Sequence, residues 1–289
     1  MIPNVDNDSI VYLNGDLIRL GDAKVSVLDR GFIFGDGIYD VVPVYKGKAF
    51  RMEAHLARLE RSLAAIGLDT GWTRPQWEGL VADMIKRSPH EYTMVYIQVT
   101  RGAAKRDHAF PATVTPTIFC MVSPFSRPGP EQREQGLSAI AVPDVRWMRC
   151  EIKSVSLLGN VLAKQQAVDA GVDEVLQFRD GYLTEGASCN IWIAKNGTLL
   201  APPLDNLILE GIRYRFLEEL AHNAGIPFES RRIARHEVDQ CDEIMMSSAT
   251  KEILPIVQFN GQPVGAGTPG PVYARLRVAY DDILEALHG

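Results

Sequence analysis

The N-terminal part of the chain alternates strand-like and helix-like patterns of hydrophobic residues. Residues 10–49 form short alternating runs, with turn signals at Asn14-Gly15 and Gly35-Asp36-Gly37. Hydrophobic side chains then recur at helical spacing, which predicts a helix with one apolar face. The residues on that face are Met52, Leu56, Leu59, Leu63 and Ile66. Strands followed directly by a helix indicate mixed α and β structure.

The pattern continues with a second helix and two further strands. The helix begins near Pro75. Residues 92–100 and 113–122 are rich in β-branched and aromatic side chains, which predicts strands. The densest proline and glycine stretch follows at residues 123–130, and it is the best candidate for a linker.

The second half of the chain again mixes strands and helices. Helices are predicted at residues 157–170, with Gly171 as the terminating glycine, from Gly211 onward, and over Pro271–Leu287. Strands are predicted at residues 174–178, 189–194, 243–246 and 253–259. Turn signals stand at Asp180-Gly181 and Asn196-Gly197.

Together these elements predict an α+β protein of two domains. A length of 289 residues also favours about two domains. The expected division is a small N-terminal domain over residues 1–122, a linker over 123–135 and a larger domain over 136–289. Both halves carry candidate site residues, and clefts between domains commonly bind cofactors.

Composition narrows the possible functions. The chain is 46% hydrophobic and 23% charged, with a net charge of −6, and it has no block rich in lysine or arginine. A nucleic-acid partner is therefore not expected. No apolar run approaches membrane-spanning length, and the N-terminus lacks a signal-peptide pattern, so we expect a cytoplasmic protein. The four cysteines fit no zinc spacing and the six histidines are scattered, so no metal site is predicted.

Lys153 and Glu185 are the candidate catalytic pair. Lys153 stands in a mostly uncharged run just ahead of a helical pattern. An interior lysine is expensive to keep charged, so desolvation favours the neutral, nucleophilic amine. Glu185 follows a hairpin signal, and a carboxylate there can hold the proton of a heterocyclic nitrogen. The pair suits pyridoxal phosphate, but from the residues alone a solvated lysine and an exposed hairpin glutamate remain an alternative.

Seven blocks of sequence occur in an order that is far more specific than any single motif. They are GFIFGDGIYDVV, AHLARL, QVTRGAAKRDHAFP, RWMRCEIKSVSLLGN, DGYLTEGASCNIW, LILEGIRYR and EIMMSSATKEILP. This order resembles the class IV aminotransferases, the fold-type IV pyridoxal phosphate enzymes, and among them most the D-amino acid (D-alanine) aminotransferases. The resemblance runs over nearly the whole chain. It implies a smaller N-terminal α/β domain and a larger C-terminal, cofactor-binding domain with a barrel-like sheet and flanking helices.

The resemblance implies that Lys153 is both the covalent anchor of pyridoxal 5'-phosphate and the general acid/base, while Glu185 faces the pyridine nitrogen. Two other lysines compete for the first role. Lys105 lies in a polar loop beside charged residues, and Lys164 lies inside an amphipathic helix. Both settings favour a solvated cation.

The same resemblance implies the phosphate site. Arg58 matches the phosphate arginine, and the helix that opens at Gly211, Ile212 and Arg213 offers free backbone N–H groups. A second loop contains Ser248 and Ala249. The family commonly has threonine where Arg213 stands, so only the backbone role is carried over, and Ala249 replaces a hydroxyl residue.

The resemblance also implies that Tyr39, Arg106 and His108 bind the substrate carboxylate, and Thr250 lies in the loop that resembles the family's substrate loop. The planar fork of arginine suits a carboxylate, to which histidine and tyrosine add donors. In this family the R-x-H loop reaches the active site of the neighbouring subunit, which implies a homodimer.

The expected activity is a ping-pong transfer of the amino group between D-amino acids, such as D-alanine and D-glutamate, and 2-oxo acids. Alternatives are a branched-chain L-amino acid aminotransferase, an (R)-selective amine transaminase and an aminodeoxychorismate lyase. The intact Arg106 and His108 argue against these three. A non-catalytic protein that binds pyridoxal phosphate is a further alternative, against which both Lys153 and Glu185 argue.

Overall fold

The computed structural model describes residues 5–113 and 115–287, and the chain divides into two compact units. Unit 1 comprises Met1–Phe125 and Ile152–Leu157, and unit 2 comprises Ser126–Glu151 and Leu158–Gly289. The first four residues of the predicted signal-free N-terminus lie outside the described residues, as does Val114 of the predicted strand over residues 113–122.

Unit 1 is an antiparallel sheet with helices packed against it. Its strands are β1 (Ile10–Leu13), β2 (Asp16–Arg19), β3 (Gly37–Tyr45), β4 (Lys48–Ala49), β5 (Tyr92–Thr100) and β6 (Thr117–Pro124). Its helices are α1 (Arg30–Phe34), α2 (Met52–Ala65) and α3 (Arg74–Lys86), with a 3-10 turn at Leu20–Asp22. The six strands follow the order β2-β1-β6-β5-β3-β4, and each neighbouring pair is antiparallel.

The core of unit 1 lies between this sheet and helices α2 and α3. Val42 of β3, Ile97 of β5 and Leu56 and Leu59 of α2 are fully buried in one cluster. Successive side chains of a strand point to opposite faces, so β3 directs alternate residues into this core. Tyr39 is half-buried and its neighbour Asp40 is buried.

Unit 2 is a mixed sheet with helices. Its strands are β7 (Leu137–Pro143), β8 (Glu174–Arg179), β9 (Tyr182–Leu183), β10 (Asn190–Lys195), β11 (Thr198–Ala201), β12 (Phe228–Ser230), β13 (Glu243–Ser248), β14 (Glu252–Phe259) and β15 (Gln262–Pro263). Its helices are α4 (Pro130–Glu134), α5 (Leu158–Asp169), α6 (Ile212–Asn223), α7 (Arg235–Asp239) and α8 (Pro271–Ala286). The strand order is β12-β11-β10-β13-β14-β7-β8-β9, with β15 beside β14. This sheet corresponds to the barrel-like sheet expected for the larger domain.

Most of the predicted elements are present. Strand β5 has the predicted bounds, and α5 is followed by Gly171 at a φ of +67°, the left-handed conformation expected of a helix-terminating glycine. The predicted turns at Asn14-Gly15, Asp180-Gly181 and Asn196-Gly197 have positive φ at both residues, as tight hairpin turns require. The predicted strand over residues 113–122 is shifted, since β6 begins at Thr117.

The division into units differs from the predicted domains at two places. The predicted linker over residues 123–135 contains the end of β6 and helix α4. Along the chain, the boundary between the two units falls between Phe125 and Ser126. Residues 152–157 belong to unit 1 because they pair with β3 through a bridge between Ile38 and Ser154. The division into functional domains stays a prediction. Among the described residues, no helix combines the length and the apolar character needed to span a membrane.

Candidate active site

Lys153 lies against Tyr39 within unit 1. Its backbone N–H donates to Ser62 Oγ at 3.3 Å, and its carbonyl oxygen accepts from the Tyr39 N–H at 2.9 Å. The Lys153 Nζ atom is 4.2 Å from the centre of the Tyr39 ring, which in turn stacks on Tyr96 with 5.6 Å between ring centres. A cation over an aromatic face is electrostatically favourable. The lysine is half-buried, whereas the sequence predicted an interior position. Its amine lies beside the stacked rings of Tyr39 and Tyr96.

The two competing lysines occupy other environments. Lys105 is exposed in the loop after β5. Lys164 is in α5 and donates to the carbonyl oxygen of Asp173. Among the three described lysines, Lys153 is the one whose amine lies over an aromatic ring, that of Tyr39. Lys153 therefore remains the predicted anchor.

Arg58 is held in the core of unit 1 by a carboxylate that the sequence analysis missed. Its Nε atom donates to Asp40 Oδ2 at 2.8 Å and its Nη2 atom to Asp40 Oδ1 at 2.9 Å. His55 Nδ1 lies 2.7 Å from Asp40 Oδ1. Burial alone would raise the pKa of Asp40, but the charges of Arg58 and His55 hold it well below its ordinary value. An ionised Asp40 thus fixes the orientation of the predicted phosphate arginine.

Glu185 is buried in unit 2, and an arginine holds it as a carboxylate. Its Oε1 atom forms an ion pair with Arg146 Nη1. Its Oε2 atom accepts from the Leu209 N–H at 3.1 Å and lies 3.4 Å from Asn190 Nδ2. Donors to a carboxylate favour its charged form. Glu185 can therefore keep a proton on a ring nitrogen placed beside it.

Arg146 is a partner of Glu185 that sequence reasoning missed. Asp144 accepts from its Nε atom at 2.9 Å and from its Nη2 atom at 2.8 Å. Burial would raise the pKa of Asp144, but the hydrogen bonds and charge of Arg146 lower it. Arg146 thus connects two carboxylates, Asp144 and Glu185. The available signal was the Asp-x-Arg spacing in an otherwise apolar run, Val142 to Met148.

Residues Leu209–Gly211 join Glu185 to the start of α6. Asn190 Nδ2 donates to the Leu209 carbonyl oxygen at 2.9 Å. A Cβ atom on Gly211 would lie 2.2 Å from Asn190 Oδ1, so a larger residue here would displace the Asn190 side chain. Helix α6 then begins at Ile212, and its N-cap residue Gly211 has no side chain to cap the first turn. Its N-terminal N–H groups and its dipole suit a phosphate.

The second predicted phosphate segment contacts this helix. Arg213 is buried, and its Nη2 atom donates to the Ala249 carbonyl oxygen at 3.1 Å. Ser248, Ala249 and Thr250 are half-buried, and Ser248 Oγ accepts from the Lys251 N–H at 3.2 Å. The two positions that depart from the family pattern, Arg213 and Ala249, thus touch each other. The structure brings the predicted phosphate segments of unit 2 together.

Arg106 and His108 lie together on an exposed loop of unit 1. The Arg106 guanidinium carbon is 5.5 Å from the centre of the Phe34 ring, and the His108 ring is 5.3 Å from it. Among the described residues, no hydrogen bond or ion pair engages the Arg106 side chain. Within the described part of the chain, the aromatic contacts of both residues are with Phe34 and not with Tyr39.

The donor set fits pyridoxal 5'-phosphate. Unit 1 supplies an amine, that of Lys153, and the anchored cation Arg58. Unit 2, taken by itself, contains the buried carboxyl group of Glu185, which is paired with Arg146, and the N-terminus of α6. This cofactor needs three kinds of group: an amine for its aldehyde, an acid partner for its ring nitrogen and hydrogen-bond donors for its phosphate.

The chain belongs to the class IV aminotransferases: the model of the family described as "Amino-transferase class IV" matches residues 37–259. The D-alanine aminotransferase of Staphylococcus epidermidis is 39% identical over 277 residues, covering 96% of this chain and 98% of that protein. The D-alanine aminotransferase of Bacillus licheniformis is 36% identical over 269 residues, covering 93% and 95%. The family predicted from the sequence is confirmed.

The fold is also that of solved aminotransferases. The branched-chain amino acid aminotransferase of Escherichia coli superposes with a TM-score of 0.90 at 24% identity, covering 95% of this chain and 94% of that one. The enzyme from Thermoproteus uzoniensis superposes with a TM-score of 0.87 at 26% identity and the same coverage. These likenesses confirm the predicted fold-type IV architecture.

Proposed function

We propose that this chain is a pyridoxal 5'-phosphate-dependent D-amino acid aminotransferase that moves amino groups between D-alanine or D-glutamate and 2-oxo acids. The observation that carries the proposal is the exposed Arg106, displayed beside His108 without a hydrogen-bonding partner among the described residues. A free planar guanidinium suits a substrate carboxylate. The 36–39% identity to D-alanine aminotransferases exceeds the 24–26% identity to the two branched-chain enzymes compared above, which supports the same choice.

Each predicted residue has a definite task in this reaction. The bound cofactor supplies an electron sink for the charge that develops at the substrate α-carbon. Lys153 Nζ takes the α-proton of the amino donor and, in the second half-reaction, returns a proton to the α-carbon of the product. Arg58 and the N–H groups of Gly211, Ile212 and Arg213 hold the phosphate, with Ser248 and Ala249 closing its site. Tyr39, Arg106, His108 and Thr250 bind the substrate.

Conversion of the purified holoenzyme by single amino donors tests the proposal. We expect D-alanine and D-glutamate to discharge the yellow form of the protein, because the donor leaves its amine on the cofactor in a ping-pong reaction. The measurement is a spectral scan against matched D- and L-amino acids and 1-phenylethylamine. A protein that stays yellow with every donor would be a carrier. Faster conversion by L-leucine or by the amine would favour the branched-chain or amine-transaminase alternative.

Replacing Glu185 with glutamine should reduce catalysis far more than stability. The amide is neutral and cannot hold the ring proton, so transition-state stabilisation falls by about 2–4 kcal/mol, as for loss of one preorganised electrostatic partner. Arg146 keeps Asp144 as its carboxylate partner, so the fold should survive. Stopped-flow α-proton abstraction and the melting temperature measure the two effects.

The matched control for this substitution is Glu229→Gln, because Glu229 is an exposed glutamate of the same unit, paired with Arg231. It should react at the rate of the unmodified protein. A Glu185→Gln variant that also does so would show that Glu185 is only a hairpin residue.

We also propose that the chain acts as a cytoplasmic homodimer. Large apolar side chains are exposed in both units: Phe32 in unit 1 and, clustered on one face of α5 in unit 2, Leu158, Val161 and Leu162. Such clusters commonly mark protein interfaces. All four cysteines are free and buried, which suits a reducing compartment. Sedimentation equilibrium measures the oligomeric state, and a monomer at micromolar concentration would contradict the dimer.

A further inference from the structure

One buried arginine holds the main chain of the loop that displays Arg106 and His108. The side chain of Arg30 is only 3% exposed. Its Nη1 atom donates to the carbonyl oxygens of Asp107 at 2.5 Å and Ala109 at 3.3 Å, and its Nη2 atom donates to that of His108 at 3.3 Å. A single guanidinium therefore binds three successive carbonyl groups of the loop.

Asp36, the aspartate of the GDG turn, holds this arginine and a second one. Its Oδ2 atom accepts from Arg30 Nε at 2.7 Å and from Arg101 Nε at 2.8 Å. Partial burial would raise the pKa of Asp36, but the hydrogen bonds from Arg101 and Arg30 lower it below its ordinary value. Asp36 is therefore ionised at neutral pH and offsets the two buried positive charges.

Arg101 fixes the far end of the same loop. Its guanidinium carbon lies 3.6 Å from the centre of the Phe110 ring, a cation–π contact. Its Nη2 atom donates to the Ile66 carbonyl oxygen at 2.7 Å and its Nη1 atom to that of Gly67 at 3.2 Å. The loop is thus tied through Arg101 to the end of α2.

The side chains of the loop differ from its main chain. Arg106 and His108 are exposed, and both rest against the ring of Phe34. The same ring also contacts Arg30, whose guanidinium carbon is 4.9 Å from its centre. Arg30 therefore holds the main chain of the loop, while the side chains of Arg106 and His108 remain exposed.

We propose that Arg30 and Asp36 are positioning residues that set the geometry of the carboxylate-binding loop, with Phe34 as the support of Arg106 and His108. The proposal rests on the proposed function, in which Arg106 and His108 bind the substrate carboxylate. A loop ordered before binding loses less conformational entropy when the substrate arrives. Arg30 and Asp36, which together we call the clamp, therefore change the affinity for carboxylate substrates, and they do so through Arg106.

Arg30→Lys is the most direct test of the clamp. Lysine keeps a positive charge beside Asp36 but lacks the planar fork that reaches three carbonyl groups. The expected result is a rise of about 10- to 100-fold in the apparent Kd for D-alanine in the single-turnover half-reaction, because small misplacements of a binding group have effects of this size. Cofactor affinity and the melting temperature should stay close to those of the unmodified holoenzyme.

A double-mutant cycle separates positioning from a general structural effect. In the Arg106→Ala background, Arg30→Lys should change the apparent Kd for D-alanine by no more than about twofold, since the group through which it acts is gone. An equal effect in both backgrounds would overturn the proposal. So would an Arg30→Lys variant that binds D-alanine as tightly as the unmodified protein.

Arg74→Lys is the matched control, because Arg74 also bridges a carboxylate, Glu60, and a main-chain carbonyl, that of Glu53. It should leave the apparent Kd for D-alanine unchanged. If Arg30→Lys does not fold, Phe34→Leu, which keeps both buried charges, takes its place in the same cycle. Failure of the unmodified protein to react with D-alanine would refute the proposed function. If Arg106→Ala weakens binding of D-alanine but Arg30→Lys and Phe34→Leu do not, only the positioning role of Arg30 and Asp36 is refuted.

Discussion

Replacing Lys153 with alanine should abolish covalent attachment of pyridoxal 5'-phosphate and reduce transamination by at least about 10³-fold, as expected when a covalent catalytic group is removed. The reason is that the proposed function gives Lys153 two tasks, to bind the cofactor aldehyde and to move the α-proton. Alanine can perform neither of them. The visible absorption of the purified protein and the rate of conversion by D-alanine measure the loss.

Borohydride reduction followed by peptide mapping identifies the attached residue directly. The label should lie on Lys153 in the unmodified protein and be lost in the variant. Lys105→Ala and Lys164→Ala are the controls, because Lys105 is exposed and Lys164 is engaged by the Asp173 carbonyl oxygen. A label on either of these lysines would refute the assignment of Lys153.

The environment of Lys153 shows where local sequence patterns stop being informative. The run Ile152 to Leu158 and its position before α5 follow from the sequence, and α5 begins at Leu158. Its assignment to unit 1 does not follow, because it depends on the hydrogen bond between the Tyr39 N–H and the Lys153 carbonyl oxygen. That pairing joins segments far apart in the sequence. The boundary expected from the proline-rich stretch places this segment in the C-terminal half, whereas its contacts lie within unit 1.

Regular elements were predictable where their periodicity was long enough. Helices α2, α3 and α8 each span at least three turns, and their apolar spacing identified them. Helices α1, α4 and α7 have five residues each, too few for a helical period to be recognised. Of these three, helix α1 carries Arg30 and Phe34, which contact the loop of Arg106 and His108.

The predicted site residues came from motifs, whereas their partners came only from the structure. Glu185 was identifiable from TEGASCN, but its ion pair with Arg146 joins two different sequence blocks. Likewise Arg58 was identifiable from AHLARL, but Asp40 reaches it from β3. A motif therefore identifies a candidate charged residue such as Arg58 or Glu185. The oppositely charged residue that orients it, Asp40 or Arg146, becomes identifiable only from the folded structure.

Removing the Arg106 side chain should change substrate recognition and leave the cofactor site intact. The Arg106→Ala variant should lose about 2–5 kcal/mol in kcat/KM for D-alanine, because a partly desolvated carboxylate is left without its main partner. Lys105→Ala removes an exposed cation from the same loop and serves as the control. It should have little effect. Steady-state kinetics with D-alanine and cofactor titration measure the two sides of this prediction.

The handedness of the reaction depends on the same residue. Under the proposed function Lys153 would deliver its proton from one side only, so the configuration of the product would depend on the side on which the α-carboxylate is held. We propose that Arg106, His108 and Tyr39 set that side for the D-configuration. Arg106→Ala should therefore weaken reaction with D-alanine much more than reaction with 1-phenylethylamine, which has no carboxylate to be held. Equal losses for both donors would mean that Arg106 supports the loop and does not bind the carboxylate. Faster turnover of L-leucine than of D-alanine by the unmodified protein would mean that the carboxylate is held on the opposite side.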